Sequence, residues 1–197
     1  MRMRSIQSLQ MIVSLVASAL ALRPLDPSLS LSLRGGPHGT RCPQLTACAV
    51  TYRPGTPEDL PTIGAAVLRE SMNPLFLDPE RFILACSDSR VLGFGQLRPA
   101  SDGYELASLV VEPASRGRGY GSELVRRLLA RAEGEPVWLL TLASTRSFYE
   151  PLGFEVAPDG AAPMLLRAEQ AIGSVVAAAA TGERLVCMTC AGGSKVS

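Results

Sequence analysis

A single segment in the middle of the chain predicts both the fold and the kind of site to expect. It covers residues 110–121 and reads Val110-Val111-Glu112-Pro113-Ala114-Ser115-Arg116-Gly117-Arg118-Gly119-Tyr120-Gly121. The apolar residues at its start predict the end of a buried strand, and the apolar positions after it recur with the period of a helix. Its glycines let the backbone turn tightly and keep side chains away from the amides. Because a helix start offers unpaired N–H groups and the positive end of the helix dipole, the segment predicts a phosphate site.

The spacing of these glycines distinguishes three kinds of phosphate-binding turn. A Walker A loop requires a lysine after its last glycine, and the segment has none. A dinucleotide fingerprint requires GxGxxG, whereas these glycines are spaced GxGxG and follow at least four predicted strands. The third pattern has Arg or Gln, then xxGx, then Gly or Ala, after a strand that ends in V-x-P. That is the pattern of the GNAT acetyltransferases, and Arg116, Gly119 and Gly121 occupy its fixed positions.

Two other segments resemble the same family. Residues 148–154 read Phe148-Tyr149-Glu150-Pro151-Leu152-Gly153-Phe154 and resemble the family's FYxxxGF segment. Residues 52–60 resemble its common strand-to-helix opening, R-P-A-x-x-x-D-L. The resemblance to the GNAT N-acetyltransferase superfamily therefore covers about residues 48–160. Residues 73–82, and residues 104–109 together with the glycine segment, resemble the plant and algal plastid branch of that superfamily.

The resemblance implies a fold, a reaction and a set of binding residues. The fold is α/β (α+β): a mixed, mostly antiparallel sheet of six or seven strands, split at the centre, with helices on both faces. The reaction transfers acetyl from acetyl-CoA, as co-substrate, to a primary amine in a ternary complex, without a metal. The family's pantetheine-binding asparagine is replaced here by hydroxyl residues, of which Ser147 is the candidate. The implied cofactor-binding residues are Leu109, Val110, Val111, Arg116, Gly117, Arg118, Gly119, Tyr120, Gly121 and Ser147.

Two residues are candidates for the proton transfers that acetyl transfer requires. Tyr149 matches the family tyrosine that acts as the acid for the leaving thiolate, and packing beside Phe148 is its alternative role. Glu105 lies 11 residues before Arg116, where lysine-specific histone-acetylating members carry their catalytic glutamate. A carboxylate between two bulky neighbours can have a raised pKa and serve as a base near neutrality. The alternative for Glu105 is a strand-end carboxylate that faces water or pairs with an arginine.

The acceptor is the least specified part of the reaction. Members of the plastid branch acetylate protein N-termini and lysine side chains, which makes a protein or peptide amine the favoured acceptor. A small amine is the alternative acceptor. Two hypotheses of other classes remain: a non-catalytic acyl-CoA-binding module, and a secreted or membrane-tethered protein whose glycine turn binds nothing. Residues 171–176 and 184–189 predict a further helix and a closing strand, without a readable acceptor motif.

The first residues of the chain read as a targeting leader rather than as part of the fold. Arg2 and Arg4 precede an apolar run at residues 11–22, which is shorter than the roughly 20 residues of a membrane span but suits a signal peptide. Residues 22–41 are rich in Ser, Leu and Arg, as transit peptides are. The two pieces in series resemble bipartite plastid leaders. We therefore predict a leader at residues 1–45, a GNAT domain at residues 46–197, a plastid location, and no stable membrane span after leader removal. A mitochondrion or the secretory pathway is the alternative.

Composition limits the remaining possibilities. A net charge of +1 with scattered arginines offers no basic patch, so we expect no nucleic acid partner. An apolar content of 47% supports a folded core. Cys187 and Cys190 have CxxC spacing, but no second ligand pair accompanies them, so we expect ordinary reduced thiols and no metal.

Overall fold

The fold is built on one sheet of seven strands with helices on both of its faces. The computed structural model describes residues 49–70, 72–88 and 90–191, so the leader predicted at residues 1–45 lies outside the described residues. The strands are β1 (Thr51–Pro54), β2 (Phe82–Ser87), β3 (Arg90–Pro99), β4 (Tyr104–Val111), β5 (Pro136–Leu142), β6 (Glu155–Val156) and β7 (Leu185–Ala191). The helices are α1 (Leu60–Arg69), α2 (Tyr120–Arg131), α3 (Arg146–Tyr149) and α4 (Met164–Thr181).

The strand order is β1-β2-β3-β4-β5-β7-β6, and only the central pair, β4 with β5, is parallel. These two long strands pair over only two positions, Tyr104 opposite Val137 and Glu105 opposite Trp138. Beyond those positions the two strands separate. This gap between β4 and β5 confirms the predicted mixed, mostly antiparallel sheet that is split at its centre.

A bulge in β4 lies at the mouth of the gap. On β3, Phe94 is opposite Val110 and Gln96 is opposite Ala107, so Ser108 and Leu109 together face a single residue of the partner strand. Ser108 adopts a left-handed conformation with φ of 51°. A bulge of this kind bends the strand and increases its twist, which accounts for the departure of β4 from β5.

The helices cover the two faces of the sheet with separate apolar clusters. On one face, Leu124 and Leu128 of α2 are fully buried against a cluster that includes Leu106 and Leu139. Since side chains alternate along a strand, neighbours of these residues point to the other face. There α1 packs on Phe94 and its neighbours, and α4 packs through Leu166. The sheet therefore has an α2 face and an opposite face shared by α1 and α4.

The two C-terminal cysteines do not form a joint site. Cys187 belongs to the cluster on the α4 side, whereas Cys190 belongs to the cluster on the α2 side, so their thiols point to opposite faces of β7. Both thiols are free, as expected from the sequence, and burial raises the pKa of each to about 11. Within the described ranges, no three His, Cys, Asp or Glu residues are grouped as metal ligands, and no helix is both long and apolar enough to cross a membrane.

Candidate active site

The glycine turn, residues 112–121, joins β4 to α2 and presents unpaired amides. Gly117 and Gly119 both have left-handed backbones, with φ of 74° and 83°. The amide of Glu123 donates to the carbonyl of Gly119 at 3.1 Å, so the helix amides before it have no carbonyl within their own helix. A Cβ built on Gly117 or Gly119 would meet no atom within 4 Å. The turn thus combines free donors, the positive end of a helix and open space, which suits a diphosphate.

Arg116 helps to build this turn. Its amide donates to the carbonyl of Pro113 at 3.3 Å, and its Nε donates to the carbonyl of Val111 at 2.9 Å. One of its Nη atoms pairs with Glu70 at the end of α1, at 3.0 Å. A second pair, Arg69 with Glu112 at 2.9 Å, ties the same helix end to the turn. The motif arginine therefore holds the turn in shape, while the exposed Arg118 extends from its surface.

Gly121 brings α3 against the start of α2. A Cβ on Gly121 would lie 3.2 Å from Cζ of Phe148, a distance at which the ring would have to move. Phe148 in turn packs edge-to-face on Tyr149, with ring centroids 4.8 Å apart. The two sequence segments that resemble the family are thus in direct contact. Ser147 lies exposed on the same short helix, one residue before Phe148.

Tyr149 is buried in the α2-face core, beside the open part of the gap. Its ring also packs edge-to-face on Phe154, with centroids 5.8 Å apart. Burial raises the pKa of the Tyr149 phenol to about 12, although a hydrogen bond with Thr141 of β5 partly opposes this. The phenol therefore remains protonated at neutral pH and can donate a hydrogen bond. Thr141 lies three residues beyond the last β5 residue that pairs with β4, so the hydroxyl is near the separated strands.

Glu105 lies on β4 at the apex of the gap, with its side chain on the α4 face. It is 8% exposed and accepts two hydrogen bonds from Arg98 of β3, Nε to Oε2 at 2.8 Å and Nη2 to Oε1 at 3.0 Å. The same Nη2 donates to Glu169 of α4 at 2.7 Å. Burial raises the pKa of the Glu105 carboxyl, and the hydrogen bonds and charge of Arg98 partly oppose that rise. Glu105 therefore does pair with an arginine, which was the alternative role left open by the sequence. The pKa of its carboxyl is nevertheless raised, as a base near neutrality requires.

These three residues form the floor of an open cleft, which we call the α4 cleft. Its walls include Pro163 and Leu165 at the start of α4, and Phe76 from the loop before β2. Arg98 and Glu169 were not among the site residues predicted from the sequence. Arg98 could have been predicted from the sequence, because the hairpin around residues 102–103 places it directly opposite Glu105. Glu169 could not have been predicted, because nothing in the sequence relates α4 to β4.

A second polar pair lies beside the bulge on the same strands. The Nε2 of Gln96 donates to the Oγ of Ser108 at 3.2 Å, and both residues are buried. The Oε1 of Gln96 has no hydrogen-bond partner among the described residues. An unsatisfied buried acceptor costs free energy unless water or a ligand donates to it.

Comparisons with known proteins agree with this geometry. Residues 78–156 match the sequence model of the family described as Acetyltransferase (GNAT) domain. Over 85 residues the chain is 38% identical to mycothiol acetyltransferase of Mycolicibacterium smegmatis, a segment that covers 42% of this chain and 28% of that relative. Over 65 residues it is 40% identical to the same enzyme of Rhodococcus jostii, which covers 31% of this chain and 21% of that relative. The chain thus matches less than a third of these relatives' length.

Solved structures share the fold. N-acetylglutamate synthase from Neisseria gonorrhoeae, complexed with coenzyme A, superposes with a TM-score of 0.58 at 19% identity, covering 73% of this chain and 35% of that one. Rv2747 from Mycobacterium tuberculosis, in complex with CoA, superposes with a TM-score of 0.58 at 22% identity, covering 72% of this chain and 98% of that one. At these identities the likeness concerns the fold alone. Residues 78–156 thus match an acetyltransferase (GNAT) domain, and the described residues have the GNAT fold.

Proposed function

We propose that the protein is an N-acetyltransferase that uses acetyl-CoA to acetylate a primary amine of a protein or peptide. The observation that carries the proposal is the direct continuity of three features: unpaired amides at the start of α2, the end of β4, and the gap beside it. The amides and the open space above Gly117 and Gly119 suit the pyrophosphate. The edge of β4 at residues 109–111, which does not pair with β5, offers backbone groups to an extended arm that lies in the gap.

The chain's own groups support amine acylation. When bound, acetyl-CoA supplies an activated acetyl group whose carbonyl carbon the amine nitrogen attacks while the C–S bond breaks. The amine must lose a proton, and Glu105 at the apex of the gap accepts it directly or through one water. Tyr149 donates a hydrogen bond toward the departing sulfur. Glu105 belongs to the α4 face and Tyr149 to the α2-face core, which supports the proposal that the two act from opposite sides of the gap between the strands.

Replacing Tyr149 with phenylalanine tests the donor role. A phenol of pKa about 12 is a weaker acid than a thiol, so it stabilises the developing thiolate by a hydrogen bond rather than by full proton transfer. We expect kcat to fall roughly 100-fold, as for loss of one preorganised donor, with the Kd for acetyl-CoA unchanged. Tyr104→Phe, at the paired end of β4, is the matched control and should retain its rate. An unchanged kcat in Tyr149→Phe would mean that Tyr149 contributes only packing and is not the hydrogen-bond donor.

The nature of the acceptor rests on two observations. Residues 73–82 and 104–109 resemble the plastid branch, and the α4 cleft is open at the surface, as a peptide requires. A small amine is the second candidate, because the matched relatives are named mycothiol acetyltransferase and N-acetylglutamate synthase. We further propose that the leader directs the protein to a plastid, which a fluorescent fusion of residues 1–45 would test against mitochondrial or secretory targeting.

The proposed function is tested by incubating the full chain with acetyl-CoA labelled in its acetyl group and a library of peptides and small amines. Label transfer and free CoA are followed by mass spectrometry. We expect transfer to peptide amines. Binding of acetyl-CoA without transfer would instead identify a non-catalytic binding module, and absence of binding would contradict the cofactor assignment.

A further inference from the structure

The floor of the α4 cleft carries three charged groups in an unbalanced arrangement, which we call the ion triad: Arg98, Glu105 and Glu169. We propose that this cleft is the acceptor site and that the ion triad selects amines without a neighbouring carboxylate, so that peptide amines react and free amino acids do not. The inference rests on the proposed function. It adds the location of the acceptor and the chemical feature that excludes a whole class of competing amines.

The position of the triad places an acceptor amine at the reaction centre. Glu105 is opposite Trp138, the last position at which β4 and β5 pair, so an amine beside its carboxylate is at the apex of the gap. The cleft opens on the α4 face, whereas the glycine turn leads into the helix of the α2 face. An acceptor and a cofactor can thus approach the gap from different directions, as a ternary complex requires.

The charge of the triad determines which acceptor fits. One guanidinium faces two carboxylates, and the charge of Arg81, which also lines the cleft, is balanced by Asp78 outside the lining at 3.1 Å. The cleft therefore has one uncompensated negative charge, which favours a protonated amine as it arrives. The side chain of Arg98 is only 12% exposed, and its Nε and Nη2 already donate to both glutamates. A free α-carboxylate in the cleft would lie close to the two glutamates, and the donors of Arg98 are already used by them. Repulsion between like charges in an enclosed site weakens binding.

The walls of the cleft suit the apolar part of a residue next to its amine. Phe76 is 54% exposed, and its ring lies 5.9 Å from the guanidinium carbon of Arg98. Its backbone has φ of 63°, a left-handed conformation that non-glycine residues rarely hold and that recurs at ligand sites. Leu165, which also lines the cleft, is 68% exposed. The cavity measures about 220 Å³, which fits one terminal residue or the end of a lysine side chain rather than a large ligand.

The test compares L-leucine, L-leucinamide and Nα-acetyl-lysinamide as acceptors, using the full chain. Because leucine and leucinamide differ in the pKa of their amines, the measured quantity is how their ratio of kcat/KM changes between variants. We expect Glu169→Gln to shift the ratio toward leucine by at least about tenfold, since the variant removes one negative charge and replaces a charged acceptor of Arg98 with a neutral one. Glu169→Asp keeps the charge and should keep the wild-type ratio. Glu155→Gln, on an exposed edge strand, controls for a general loss of charge.

The outcomes separate the inference from the function on which it rests. A ratio that is equal in wild type and Glu169→Gln, with acetyl transfer and the Kd for acetyl-CoA intact, would overturn the carboxylate selection alone. Absence of transfer to every amine, despite acetyl-CoA binding, would overturn the proposed function and the inference together. The lysine arm decides whether the selected peptide amine is an N-terminus or a side chain.

Discussion

Replacing both Gly117 and Gly119 with alanine is expected to raise the Kd for acetyl-CoA about 100-fold or more. Both glycines have positive φ, and the space where their Cβ atoms would project is empty of protein atoms within 4 Å. In the proposed complex that space holds the pyrophosphate, so each methyl group would displace an oxygen from the turn amides. A hydrogen bond to a charged group contributes roughly 1.5–3 kcal/mol, and the loss of two such bonds corresponds to at least that change in affinity.

A matched control exists in the same chain. Gly160 and Gly182 also have positive φ, of 78° and 74°, and a Cβ on either would likewise meet nothing within 4 Å. They lie outside the glycine turn, in a loop and at the end of α4. Both double variants should therefore lose similar stability, because an alanine in the left-handed region costs roughly 1–2 kcal/mol. Only the variant of the glycine turn should lose affinity for acetyl-CoA in calorimetric titrations.

The comparison of the two double variants makes the prediction specific. Equal weakening of acetyl-CoA binding in both would mean that strain or partial unfolding, rather than the turn, determines affinity. Unchanged binding of acetyl-CoA in both variants would contradict the assignment of the glycine turn as the pyrophosphate site. Thermal unfolding of each variant measures the shared cost of the backbone strain independently of the ligand.

The central part of the fold could be predicted from the sequence because its pattern is strong there. The end of a buried strand predicted at the start of segment 110–121 is confirmed, because β4 ends at Val111, just before the Pro113 turn. The C-terminal helix was predicted only around residues 171–176, although α4 begins at Met164. Met164 and Leu165 are 72% and 68% exposed, so the apolar residues of the first turn do not mark a buried face. The periodicity that identifies helices was therefore misleading at this end.

In the site, likewise, the residues of the motifs could be predicted from the sequence, whereas their tertiary contacts could not. The RxxGxG spacing identified the turn, but it could not show which atoms of Arg116 remain free. Its amide and its Nε donate to the nearby carbonyls of Pro113 and Val111, and one Nη pairs with Glu70 at the end of a distant helix. Glu105 was found by its place on a strand, while Glu169 was brought to it by tertiary packing alone. Motifs thus predicted the backbone part of the site, and long-range ion pairs could not be predicted.

Glu105→Gln should lower kcat/KM by roughly 100- to 10,000-fold, the range typical for loss of a positioned general base. The substitution preserves shape and one acceptor oxygen. Arg98 also retains its bond to Glu169 at 2.7 Å, so the arginine is not left buried without a carboxylate. The Kd for acetyl-CoA should remain unchanged, because the glycine turn lies at the other end of β4. Glu155→Gln serves again as the control for a glutamate outside the site.

The pH dependence tests the same residue with a defined sign. Burial raises the pKa of the Glu105 carboxyl above its ordinary value, and only the ionised form accepts a proton. In the wild type, kcat/KM should therefore rise with pH through that raised pKa, in addition to the separate rise that reflects the acceptor amine. Glu105→Gln should lose the lower limb and keep the upper one. A lower limb that persists in Glu105→Gln would assign it to another group.

The raised pKa also has a consequence for stability, and it distinguishes a burial effect from a favourable ion pair. A carboxyl whose folded-state pKa is raised stabilises the fold while it is protonated, and this contribution is lost as pH rises through the folded-state pKa. Glutamine cannot ionise, so Glu105→Gln should show a smaller loss of stability over that pH range than the wild type. If the variant instead loses stability relative to the wild type as pH rises, the pair with Arg98 outweighs burial. Glu105 would then be a structural partner of Arg98 rather than the general base.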